Sequence, residues 1–129
     1  KKKYNVGVVI DLAHLIRENN NSKIPNTQLG VGEMLKTLET TLVILAGKNL
    51  SFAIHLPIGT KLQDSLPPVF WENENNLITL ASMLKDHPPK WITIENQGRE
   101  LIPTRSHIKS THERMQLLKE FGIIQPLQS

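Results

Sequence analysis

Apolar and polar positions along the chain change period several times, and the changes mark its elements. Val6 to Ile10 is an unbroken, mostly β-branched run, which predicts a strand buried on both faces. Asp11 closes it, and Leu12 to Asn20 follows as a short helix with Leu12, Leu15 and Ile16 on one side. The polar stretch Asn19 to Thr27, with Pro25, predicts an irregular connection. From Val31 to Ala46, Val31, Met34, Leu35, Leu38, Leu42 and Leu45 recur at steps of three and four, one stripe of a long helix, with Gly47 where a left-handed residue would end it. Leu50 to Leu56 alternates with period two and predicts a strand broken by Pro57. Residues 61–76 show no period. Val69, Phe70 and Trp71 form an apolar plug within them, before the exposed-looking run Glu72 to Asn76.

A helix capped by Asn73 or Asn75 runs to about Lys85, with Leu77, Ile78, Leu80, Ala81 and Leu84 inward, and His87-Pro88-Pro89 stops it. Lys90 to Glu95 alternates as a strand. Asn96-Gln97-Gly98 predicts a tight turn, and Arg99 to Pro103 an antiparallel return that sets Glu95 near Arg99. Ser110-Thr111-His112-Glu113 has the spacing of a capping box, so the last helix starts there or a turn earlier at Ser106, and ends at Gly122.

Strands alternating with helices predict an α/β domain: a small mixed sheet, mostly parallel, flanked by helices, with a C-terminal β-hairpin and a final helix. The expected core is Val8, Ile10, Leu38, Leu42, Phe52, Ile54, Leu80 and Leu84. The alternative is an α+β winged-helix-like order, with helix 75–86 as reader and Asn96-Gln97-Gly98 as wing tip. Against it, that helix offers solvent only Asn75, Asn76, Thr79, Ser82 and Lys85, a poor surface for phosphates.

The length of 129 residues suits a single domain, 1–129, and a start at lysine rather than methionine suggests a fragment of a longer protein. Without cysteine there is neither a disulfide scaffold nor a thiolate metal site, and an intracellular, cytoplasmic setting is expected. The excess of Lys and Arg over Asp and Glu, 15 against 12, is matched by Lys1, Lys2 and Lys3 alone. It permits an acidic partner without requiring one. The longest apolar run, Leu42 to Ala46, is far below the roughly 20 residues of a membrane span, so no membrane is expected.

Asp11 carries the first candidate chemistry. At the carboxyl end of a strand it can hold a divalent cation, a possible metal cofactor, or it can cap the helix that follows. A strand, this aspartate and a helix, then a later helix leading to a second strand and the turn at Pro57, resemble the opening of PIN and NYN ribonuclease domains, over roughly residues 5–95 in order of elements. The resemblance implies a metal-binding Asp11 and metal-dependent nuclease chemistry, in divergent or degenerate form. It also requires further acids at the same sheet edge, for which Glu33, Glu72 and Glu95 are available at no diagnostic spacing. If the first two strands are neighbours, His14 and His55 can join Asp11, the one catalytic constellation that can be assembled, beside the plainer reading of hydrogen-bonded histidines.

The second candidate is the basic segment around the start of the last helix. Arg99, Arg105, Lys109, Ser110, Thr111 and Arg114 supply cations, hydroxyls and helix-start amides suited to a phosphate, against a plain capped helix start. Neither HExxH nor a Gly-rich phosphate loop nor G-x-S-x-G occurs. Trp71 and Trp91 read as core residues. The function expected is therefore a non-catalytic binding module for nucleic acid (RNA or single-stranded DNA) or another phosphorylated partner, with no cofactor. The alternatives are the metal-dependent nuclease centred on Asp11 and a protein–protein interaction domain of a larger assembly.

Overall fold

The structure, a computed structural model, describes residues 7–19, 27–59, 65–95 and 105–125. Its elements run β1 (Val8–Asp11), α1 (Leu12–Asn19), α2 (Gln28–Gly47), β2 (Phe52–Pro57), α3 (Pro68–Glu72), α4 (Glu74–Asp86), β3 (Ile92–Glu95) and α5 (Arg105–Glu120). The three strands form one sheet in the order β1-β2-β3, and both pairings are parallel. Parallel neighbours need a crossover, which α1 and α2 supply between β1 and β2, and α3 and α4 between β2 and β3. The small α/β fold expected from the alternation is therefore present. A three-stranded parallel sheet excludes the winged-helix order. The return strand expected at 99–103 and the Asn96-Gln97-Gly98 turn lie outside the described residues.

Helices α1 to α4 pack on one another and cover the face of the sheet that carries Ile10, Phe52, Ile54 and Leu56. Leu38, Leu42, Leu77 and Leu80 are fully buried beneath them, so the helical stripe of α2 is real. Val8 is half-buried rather than buried, and Ile78, expected inward, is half exposed. The opposite face of the sheet is less covered. It carries Val9, 54% exposed, with half-buried Asp11, His55, Thr93 and Glu95.

Several boundaries differ from the sequence pattern for local reasons. α2 starts earlier, because the Thr27 hydroxyl accepts from the Gly30 amide. It also runs through Gly47. The left-handed residue that ends it is Asn49, at φ 57°, with the Asn49 amide donating to the Ala46 carbonyl and the Leu50 amide to the Leu45 carbonyl. The aperiodic region contains a helix, α3, because Pro68 suits a first helical position and the plug of Phe70 and Trp71 is buried. Asn76, expected at the surface, is 2% exposed and hydrogen-bonded. α5 begins at Arg105, one residue before the earlier of its two expected starts, Ser106, and more than a turn before the Ser110 capping box.

Candidate metal centre

β1 and β2 are in register such that Asp11 lies beside His55, and β2 and β3 such that His55 lies beside Thr93 and Pro57 beside Glu95. Side chains alternate across a strand, so Asp11, His55 and Glu95 share the less covered face at the carboxyl end of the sheet. One ligand atom from each of the three lies within 4.8 Å of the others. The His55 Nδ1 is 3.5 Å from the Glu95 Oε1, with the side chains 33% and 26% exposed.

Asp11 also caps α1. Its Oδ1 accepts from the amides of Ala13, at 2.9 Å, and His14, at 3.1 Å. Both bonds fall on one oxygen, and among the described residues none falls on Oδ2. The capping reading and the metal reading therefore do not compete: the cap orients the carboxylate and leaves its second oxygen directed by the helix start. Such outer hydrogen bonds are how ligands are normally held in place. Glu95 is fixed through its backbone, since its carbonyl accepts from the Ile58 amide at 2.8 Å. The turn that carries Ile58 is in turn gripped by Arg114, whose Nη1 donates to the carbonyls of Ile58, at 3.1 Å, and Gly59, at 2.6 Å.

Two carboxylates and an imidazole suit a divalent cation of intermediate hardness such as Mn²⁺ or Zn²⁺. Ligand bonds of about 2.0–2.1 Å at a tetrahedral angle put neighbouring ligand atoms roughly 3.4 Å apart. The His55–Glu95 separation has that size, and it also fits a direct pairing of the two side chains when His55 is protonated. Three protein ligands leave coordination positions for water and substrate.

The other candidates go elsewhere. His14 contributes its amide to Asp11, but its side chain is exposed and outside the cluster; Glu95 takes the place expected for it. Glu33 and Glu72 are exposed and also outside it. In the basic segment, Arg99 and the side chain of Arg105 lie outside the described residues. Lys109 is exposed, Ser110 half-buried and Thr111 buried. Because α5 opens at Arg105, the Ser110 and Thr111 amides lie inside the helix, past its first four unpaired N–H groups. The helix-start site expected at those amides is thus corrected to an interior turn. Arg114 points inward, its guanidinium 5.3 Å from the Trp71 ring centre. Burial lowers its pKa from the usual arginine value, with the carboxylates of Glu113 and Glu72 acting the other way.

Sequence reasoning placed Glu95 only among three scattered acids and beside Arg99. The signal that singles it out is positional: like Asp11, it is the last residue of a strand, and in a parallel sheet such residues gather at one edge. Comparison with protein families, curated proteins and solved structures gives no match for this chain. Among the described residues no helix is long and apolar enough to cross a membrane.

Proposed function

We propose that this protein binds a divalent cation through Asp11, His55 and Glu95 and hydrolyses a phosphodiester there, nucleic acid being the substrate class. The observation that supports this reading is the convergence of the three side chains at the carboxyl edge of a parallel sheet, where α/β domains carry their ligands. A cation held there would lower the pKa of a bound water and neutralise the phosphate. Asp11, His55 and Glu95 would hold that cation, and the hydrolysis it would support joins the water oxygen to phosphorus as the bond to the leaving oxygen breaks, with the water's proton passing through solvent to that oxygen. Asp11 and Glu95 contribute charge, and His55 contributes a neutral nitrogen. The likeness to PIN and NYN domains in order of elements adds to the reading. The departure from them is a histidine where the resemblance calls for acids. An intracellular, cytoplasmic setting is part of the same proposal.

The earlier expectation, a non-catalytic binding module acting through the start of α5, draws less support. Of its side chains, Lys109 is exposed, whereas Arg114 and Thr111 are turned into the protein.

The experiment is a manganese titration followed calorimetrically, with cleavage of a labelled single-stranded RNA in parallel. One cation per chain is expected, with affinity lost in Asp11→Asn and Glu95→Gln and cleavage that requires metal. Unchanged manganese binding in both variants would overturn the site. Metal binding without metal-dependent cleavage would leave the site and overturn the hydrolytic part.

A further inference from the structure

We propose that the groove between α3 and α5 docks an arginine-bearing peptide segment of a partner protein. The inference goes beyond the metal centre and does not depend on it. The groove is a cavity of about 510 Å³, a size within the range of ligand sites. Its floor is apolar, built from Pro68 and Trp71 of α3 and Leu117 of α5. Glu113, Leu117 and Glu120 follow one another at steps of four and three, so they share one side of α5. Glu72, the last residue of α3, lines the opposite wall.

Charge selects the occupant. Glu72, Glu113 and Glu120 are exposed, and Arg114 is the one Lys or Arg side chain in the lining. Arg114 is committed inward, its Nη1 donating to the carbonyls of Ile58 and Gly59. Lys109 and Lys119 of the same helix lie outside the lining. Among the described residues no close ion pair neutralises any of the three glutamates. Three carboxylates against one arginine leave an excess of negative charge, which a cationic occupant complements.

The groove also shows which cation suits it. The Arg114 guanidinium lies 5.3 Å from the centre of the Trp71 ring, a planar cation on an indole, with the carboxylates of Glu113 and Glu72 near enough to act on it. A guanidinium from a partner can meet a carboxylate through two parallel hydrogen bonds, which an ammonium cannot. Trp71 supplies a second, independent sign. Its side chain is 7% exposed, and its Nε1 has no hydrogen-bond partner among the described residues. Buried donors take an acceptor when one is brought to them. A peptide carries carbonyl oxygens beside its cationic side chains, whereas a bare metal ion or a polyamine carries none.

Trp71 itself reports the test. The chain has two tryptophans, so Trp91→Phe leaves Trp71 as the one emitter, and Trp91 is exposed enough to be exchanged without disturbing the core. In that background the peptide Ala-Arg-Ala-Arg-Ala is added to the full chain. A saturable change in Trp71 emission is expected, weakened by salt. The uncharged Ala-Gln-Ala-Gln-Ala is expected to give none. Glu72→Gln, Glu113→Gln and Glu120→Gln should each weaken binding about 2- to 5-fold, and the triple variant roughly 10-fold or more. All three sites are exposed, so the variants should fold, which circular dichroism checks. No response to the arginine peptide, an equal response to the glutamine peptide, or an unchanged affinity in the triple variant would each overturn the proposal. Sedimentation of the chain alone is run beside it: a dimer that the triple variant dissociates would assign the groove to a second copy and overturn the peptide reading.

Discussion

The side-chain amides of Gln28 and Asn76 exchange two hydrogen bonds: the Gln28 Nε2 donates to the Asn76 Oδ1 at 2.8 Å, and the Asn76 Nδ2 donates to the Gln28 Oε1 at 3.0 Å. The same Nδ2 lies 3.3 Å from the carbonyls of Val69 and Phe70, so one buried amide ties the first turns of α2 and α4 to α3. Asn76→Leu keeps the branched outline of the side chain and removes every hydrogen bond it makes. It is expected to cost about 2–3 kcal/mol in urea unfolding, since buried carbonyls are left unmet. Gln28→Ala should cost less, because Gln28 is exposed and water can replace it.

Asp11 has two separable tasks. Asparagine caps a helix about as well as aspartate, so Asp11→Asn should leave thermal stability nearly unchanged while abolishing metal affinity. Asp11→Ala should lose both the metal and about 1 kcal/mol of stability. A stability loss in Asp11→Asn equal to that in Asp11→Ala would show that charge, not the cap, dominates at this position.

Arg114 joins α5 to the turn after β2, with two carbonyls and an aromatic ring as partners. Arg114→Ala is expected to destabilise by about 2 kcal/mol. Arg114→Lys should recover less than half of that, because an ammonium does not reproduce a planar group that grips two carbonyls and lies on a ring. Through the Ile58 amide and the Glu95 carbonyl, both variants should also weaken manganese binding, which calorimetry would show.

α5 ends with Gly122 at φ 75°, its amide donating to the Lys119 carbonyl and the Ile123 amide to the Leu118 carbonyl. A Cβ added at Gly122 meets nothing within 4 Å, so the cost of Gly122→Ala is conformational, about 1 kcal/mol. α2 ends in the same hydrogen-bond pattern around Asn49, and Asn49→Gly should stabilise by a few tenths of a kcal/mol. Thermal melts of the two variants should therefore shift in opposite directions.

Much of the architecture was legible because period and position are local properties. The stripe from Val31 to Leu45 identifies α2, and the alternation around Phe52 and Ile54 identifies β2, without knowledge of any neighbour. The errors fall where a neighbour decides. Asn76 reads as a surface amide until Gln28 and the α3 carbonyls surround it, and Trp91 reads as core until the sheet leaves that side open. Of the two starts read for the last helix, the earlier one at Ser106 is within one residue of the observed Arg105, and α5 continues through the capping-box spacing of Ser110-Thr111-His112-Glu113, because spacing alone does not stop a helix from starting earlier.

Asp11 at the end of a β-branched strand was sufficient to mark both a helix cap and a possible ligand, since both depend on residues within three positions of it. Its companions could not be chosen that way. His55 and Glu95 are distant in sequence and become neighbours of Asp11 through the order β1-β2-β3 and the register of two parallel pairings. A one-residue slip in either register would turn a ligand to the opposite face. Registers of this kind are selected by which apolar side chains reach the buried face, so it is the packing of Ile10, Ile54 and Ile92 against the helical layer that brings the three polar side chains together.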